Sequence, residues 1–177
     1  MKILHVDTAT EWRGGQNQIV LTAEGQAARG HDVLIFANER GQLATRALQA
    51  SLKVHRAAVG RGDLSWRTLR AVEDAVRGFA PDVIHVHESH GLPGAILAAR
   101  RAVTRPLLVA SRRVDFPMGF VSRLKYSRMD RILAVSRAVR DVLIGGGLPS
   151  TRVVLVSFTV GSSGEDFGSD RKIASEP

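Results

Sequence analysis

Short apolar runs recur along this chain, and between them the apolar residues return at three- and four-residue spacing. That alternation is the feature that most limits the fold. A run of four to six apolar residues bounded by polar ones reads as a strand buried on both faces, and the longer periodic stretches read as helices that cover it. Strands are expected at 2–6, 32–37, 53–57, 83–87, 107–110, 131–135 and 152–156. Helices are expected at 16–29, 42–50, 65–79, 91–102 and 137–144, with a shorter one inside the basic stretch 112–128. Gly30 stands where a helix should stop, Pro81 ends another, and Ser65 and Ser136 stand where helices should be capped. Strands separated by helices need crossover connections, so the expected fold is α/β: a single doubly wound, Rossmann-like domain with a mainly parallel sheet of about seven strands. It should occupy 1–156. The segment 157–177, beginning Ser157-Phe158-Thr159-Val160-Gly161 and then largely polar, reads as a flexible tail or linker remnant.

Composition narrows the partners. The 177 residues carry 25 Lys and Arg against 17 Asp and Glu, a formal charge of +8, which favours anionic ligands. Between positions 112 and 141 eight basic residues face three acidic ones, so much of the excess is gathered there. Phe116, Met118, Phe120, Val121 and Leu124 are interleaved with them. That mixture suits either a surface helix with an apolar underside or contact with an anionic membrane face. The absence of cysteine excludes disulfides and thiolate metal sites and fits a reducing, cytoplasmic setting. No stretch approaches the roughly 20 apolar residues of a membrane span, and the amino terminus reaches Asp7 too soon for a secretory signal. A single tyrosine and no recognition motif argue against nucleic acid as a partner.

In a doubly wound sheet, ligands lie beyond the carboxyl ends of the strands. Four loops qualify: 7–15, 38–41, 87–93 and 111–119. The first contains Trp12-Arg13-Gly14-Gly15-Gln16. Two glycines before a helix either make a tight turn or present free N–H groups to an anion. Neither a Gly-x-Gly-x-x-Gly dinucleotide fingerprint nor a Walker sequence is present, and no cofactor is expected. His85 and His87 share one side of their strand, and His87, Glu88 and His90 should stand at its carboxyl edge. There imidazole and carboxylate can bond hydroxyl groups or move protons. His85 reads as a hydrogen-bonded residue inside the sheet. Without a carboxylate cluster beside these histidines, no metal is expected. Arg112 and Arg113 follow the fifth strand and can either clamp an anion or form a solvated basic loop.

Met1-Lys2-Ile3-Leu4-His5-Val6, the Gly14-Gly15 loop, Ala28-Arg29-Gly30-His31-Asp32-Val33, Pro81-Asp82-Val83-Ile84-His85-Val86-His87 and Asp130-Arg131-Ile132-Leu133-Ala134-Val135-Ser136 occur in that order. Together they resemble the amino-terminal domain of family 4 glycosyltransferases, retaining enzymes of the GT-B fold, over roughly 1–156. The resemblance implies an acceptor-binding domain that works with a second, nucleotide-sugar-binding domain to move a sugar onto a hydroxyl acceptor, in some cases lipid-linked. It implies substrate contacts at Gly14 and Gly15, near the donor phosphates. Family members often carry a histidine after the fifth strand. Arg112 and Arg113 stand there instead, leaving His87 and Glu88 as the catalytic candidates and Gly14, Gly15, His90, Arg112 and Arg113 as substrate-binding ones. The family's Asn-Gly turn after the seventh strand and its Glu-x7-Glu donor motif have no counterpart here, so the chain alone is expected to transfer sugar poorly. The alternative is a non-catalytic module that binds anionic ligands or a membrane surface.

Overall fold

The computed structural model describes residues 1–156; the expected tail at 157–177 lies outside the described residues. Seven strands alternate with six helices: β1 (Lys2–Asp7), α1 (Gly14–Ala28), β2 (Asp32–Asn38), α2 (Gln42–Gln49), β3 (Lys53–Ala57), α3 (Trp66–Phe79), β4 (Val83–Val86), α4 (Leu92–Arg101), β5 (Leu107–Arg112), α5 (Phe120–Tyr126), β6 (Arg131–Ala134), α6 (Arg137–Gly145) and β7 (Val153–Leu155). A short 3-10 turn, Ser150–Arg152, leads into β7. All six strand pairings are parallel, in the order β3-β2-β1-β4-β5-β6-β7. This is the expected doubly wound sheet.

Side chains alternate across a strand, so each strand feeds both faces of the sheet. On one face Leu4, Val6, Phe36, Ile84, Val86 and Leu108 are buried together with Val72, Ala75 and Val76 of α3 and Leu92, Ala95 and Ala98 of α4. On the other, Val33, Ile35 and Ala37 pack against Ile19, Val20 and Ala23 of α1 and Leu43, Ala44 and Ala47 of α2. The α1 face of β1 is less uniform. Between Ile3 and Asp7 it carries His5, which the register sets directly beside His85 of β4.

Element ends follow local chemistry. Gly30, at φ +80°, closes α1, and Ala80 adopts a left-handed conformation before Pro81. Ser136 caps α6 by accepting the Val139 N–H at 3.2 Å. Ser65 occupies the first position before α3 but makes no capping bond. β5 runs two residues further than expected because Ser111 and Arg112 pair with Leu133 and Ala134 of β6.

Helices α3 and α4 approach closely at Gly94, where an added Cβ would lie 3.2 Å from two carbons of Val72. Gly94→Val is therefore expected to overpack this contact and destabilise the domain by about 1–3 kcal/mol. Equilibrium urea unfolding should show a lower midpoint at unchanged slope.

Candidate functional site at the switch point of the sheet

The chain runs outward from β1 through β2 to β3, then returns to β4 on the other side of β1. The loops leaving β1 and β4 therefore diverge and open a crevice between them. Four groups converge on it: Asp7 at the end of β1 with Thr8 after it, His87 and Glu88 after β4, the Gly14–Gly15 start of α1, and Arg113 after β5.

Arg113 is the centre of the arrangement. Its guanidinium donates to the His87 carbonyl at 3.3 Å and to His87 Nδ1 at 3.1 Å. It also lies across the start of α1, and a Cβ on Gly15 would come within 2.9 Å of its Nη1. A side chain at Gly15 would therefore have to displace the flexible end of Arg113, and no positive φ is involved. Burial lowers the pKa of Arg113 from its ordinary value, with the charge of Asp7 opposing that shift.

Beneath Arg113 runs a chain of buried hydrogen bonds. His87 Nε2 meets His5 Nδ1 at 2.8 Å, and His5 Nε2 meets Gln26 Oε1 at 2.7 Å. Arginine has no acceptor, so its donation to His87 Nδ1 fixes every proton below it. His87 carries hydrogen on Nε2 and donates to His5 Nδ1; His5 carries hydrogen on Nε2 and donates to the Gln26 carbonyl oxygen. His5 and His87 stack on each other, His85 lies tilted against both rings, and its Nε2 meets Ser111 Oγ at 2.8 Å. Burial, the dominant cause, holds all three histidines neutral. It lowers His5 to about 4 and leaves His85 and His87 well below the usual imidazole value, with neighbouring positive charge adding to the effect on those two.

Two carboxylates flank the crevice, the buried Asp7 and the partly buried Glu88. Asp7 accepts from the Ala9 N–H at 3.0 Å and from Gln16 Nε2 at 3.1 Å, while burial and then Glu88 raise its pKa. Glu88 accepts from the Thr8 hydroxyl, from the Thr8 N–H and from the His90 N–H at 3.2 Å. The exposed His90 ring is tied to Asp63, which also pairs with Lys125 of α5. Beside the crevice, above the ends of β1 to β4, lies a hollow of about 480 Å³ whose lining includes Thr8, Asn38, Arg40, Arg61, Glu88 and His90.

Of the residues singled out in the sequence, Gly15, His87, Glu88 and Arg113 come together at this crevice. His90 borders it through Glu88, and Gly14 sits at the open start of α1. His87 is buried with both ring nitrogens engaged, so it supports Arg113 from below rather than facing the opening. Arg112 points elsewhere. It is buried, donates to the Phe116 carbonyl at 2.7 Å and lies over the rings of Phe116 and Tyr126. Trp12 is half-buried under Arg46. Sequence reasoning missed His5, Gln26 and Asp63. For His5 the signal was the β1–β4 pairing, which sequence order conceals.

Ring nitrogens of His5, His85 and His87 lie within 4.8 Å of one another, close enough to consider a metal. The donor set does not fit one as arranged. Arg113 fixes the His87 hydrogen on Nε2, the nitrogen directed at His5, and a dication there would stand beside the guanidinium with no carboxylate among its ligands.

These features define an open α/β domain with a crevice where the strand order reverses. The sequence profile of the glycosyl transferase 4-like domain matches residues 13–159, and the chain belongs to that family. No curated protein matches it in sequence. Among solved structures it is similar to Anabaena Alr3699/HepE in complex with UDP and glucose, at 18% identity and a TM-score of 0.70 over 89% of this chain and 44% of that one. The lipopolysaccharide outer core galactosyltransferase WaaB gives 14% identity and a TM-score of 0.68 over 90% and 46%. The UDP-GlcNAc 2-epimerase of Neisseria meningitidis gives 15% and 0.64 over 88% and 46%. At such identities the likeness is one of fold, and the chain spans less than half the length of each. Among the described residues no helix is long and apolar enough to cross a membrane.

Two outcomes are expected from this geometry. Histidine in the unfolded chain gains a proton below about 6.5, whereas folded His5 does so only near 4. Stability should therefore fall as pH drops from 6.5 towards 4, by roughly 3 kcal/mol for His5 alone. Urea midpoints measured at pH 7, 6 and 5 should drop less steeply in His5→Gln. Gly15→Ala meets only the flexible end of Arg113, so its unfolding free energy should stay within about 1 kcal/mol of wild type. The NMR resonances of the Arg113 guanidinium should nevertheless shift as that group is displaced.

Proposed function

We propose that this domain is the acceptor-side half of a retaining GT-B glycosyltransferase, which moves a sugar from a nucleotide diphosphate to a hydroxyl acceptor. The observation that carries the reading is the Arg113 guanidinium seated over Gly15 at the start of α1. Charge develops on the departing diphosphate during transfer. A guanidinium beside free N–H groups at a helix start complements that charge. In this reading Gly14 and Gly15 supply backbone donors, and Arg113 rather than Arg112 meets the phosphate. His87 holds Arg113 in place, and Glu88 and His90 border the acceptor. A second domain binding the nucleotide sugar completes the site, whether it belongs to the same polypeptide or to another, and without it transfer is slow. HepE and the epimerase, which share this fold, were solved with UDP or UDP-sugars, in keeping with the reading.

A second reading, membrane-surface binding without catalysis, is favoured by one feature. Phe116, Phe120, Val121 and Leu124 are all at least half exposed around α5, Phe120 at 81%, beside the exposed Arg123 and Arg128. Such a surface suits acidic lipid, and it also suits a lipid-linked acceptor in the leading reading.

One experiment separates the two. The chain is mixed with the half of HepE that it does not match, and transfer from radiolabelled UDP-glucose to an acceptor panel of simple sugars and lipid extracts is measured. Transfer well above either half alone, lost in Arg113→Gln, is the expected result. Salt-sensitive binding to phosphatidylglycerol vesicles with no transfer, and no UDP-induced shift at Gly15, would overturn the leading reading in favour of the second.

A further inference from the structure

The hollow beside the crevice is lined by two arginines and a single carboxylate, Glu88, so positive charge is in excess there. Arg40 and Arg61 both line it. Among the described residues neither guanidinium has an ion-pair or hydrogen-bond partner; only the backbone N–H of Arg40 is engaged, by Asn38. The nearby acids are already committed. Glu88 accepts from Thr8 and from the His90 backbone, and Asp63 is shared between His90 and Lys125. Thr68, on the same wall, accepts from the Gly60 N–H and thereby fixes the loop that carries Arg61. Concave walls concentrate the field of such charges far more than a convex surface does. The volume, about 480 Å³, falls within the roughly 300–1,000 Å³ usual for small-molecule sites.

From this we infer that the acceptor carries an anionic group of its own, a phosphate or carboxylate, held by Arg40 and Arg61 while its reacting hydroxyl lies at Glu88. The inference rests on the acceptor-side reading above and adds the class of acceptor. Glu88 lines the hollow and directly follows His87, on which Arg113 rests, so it belongs to the crevice as well. It therefore lies at the boundary of two anion-attracting places, Arg113 with the start of α1 and Arg40 with Arg61. An acceptor anchored by its anion at the far pair leaves the near one to the donor phosphates. Arginine suits this task because its planar fork can meet two oxygens of one phosphate or carboxylate.

The test is titration of the full chain, followed by amide NMR, with glucose, glucose 6-phosphate, glucuronate and UDP. Vesicles of phosphatidylglycerol and of phosphatidylcholine are assayed by flotation in parallel. Glucose 6-phosphate or glucuronate should shift the Arg40 and Arg61 resonances and bind at least about tenfold more tightly than glucose. In Arg40→Gln/Arg61→Gln that preference should vanish, since charge-assisted hydrogen bonds of this kind are worth about one such factor or more. Both side chains are exposed, so the double variant should fold as wild type, and an unchanged UDP response at Gly15 and Arg113 checks this. Binding of the soluble anions identifies a free phosphorylated or acidic sugar as the source. Flotation with phosphatidylglycerol alone, abolished by the double variant, identifies a lipid headgroup. Equal binding of glucose and its phosphate, with no arginine-dependent flotation, overturns the clamp while a UDP response leaves the acceptor-side reading standing. Loss of the UDP response in wild type would remove that reading instead.

Discussion

A guanidinium can donate hydrogen bonds but cannot accept them, and much of this site follows from that asymmetry. Arg113 rests on His87, His87 on His5, and His5 on Gln26, three hydrogen bonds in series crossing from the loop after β5 to the last turn of α1. Because the first donor is fixed in kind, none of the rings below it can change tautomer without leaving two donors or two acceptors facing each other in a buried place. Such a clash costs on the order of 1–3 kcal/mol. The chain of bonds therefore holds the charged end of Arg113 in one position, over the start of α1. It also binds together two halves of a sheet that the backbone connects only through the long return from β3 to β4.

The same interaction explains why three histidines can stand in the interior of a parallel sheet. Buried imidazoles without partners would be costly, but here His5 and His87 use both ring nitrogens and His85 uses Ser111. Neutrality comes with burial. These rings act as a rigid polar support, and the charge that reaches the crevice comes from arginine and carboxylates at the rim.

Much of the fold was legible in the sequence because it depends on periodicity, which is local. Apolar runs such as 32–37, stops such as Gly30 and Pro81, and the Ser136 cap each state their structure without reference to distant residues. Seven strands and their parallel arrangement followed, with ends displaced by a residue or two. The larger displacement, the extension of β5 through Arg112, came from pairing with β6, which is not local. The site was legible in part for the same reason. Gly15, His87, Glu88 and Arg113 were found because strand ends mark the ligand edge of this fold. The distinction between Arg112 and Arg113 depends on which side of the sheet each faces after the strand has been extended by its neighbour. His5 depends on β4 lying beside β1, a pairing with His85 across a long stretch of sequence that no motif near either strand announces.

Asp63 has a role that reaches beyond its own loop. It joins the segment after β3 to His90 and to Lys125, so one carboxylate fastens the wall of the hollow to the base of α5. Although burial works against ionisation, the bonds from Lys125 and His90 prevail and keep the carboxyl below its ordinary pKa. The fastening thus holds through the whole neutral range and gives way only in acid. Helix α5 also carries the exposed Phe120, so this one carboxylate ties an exposed apolar surface to the residues that wall the hollow.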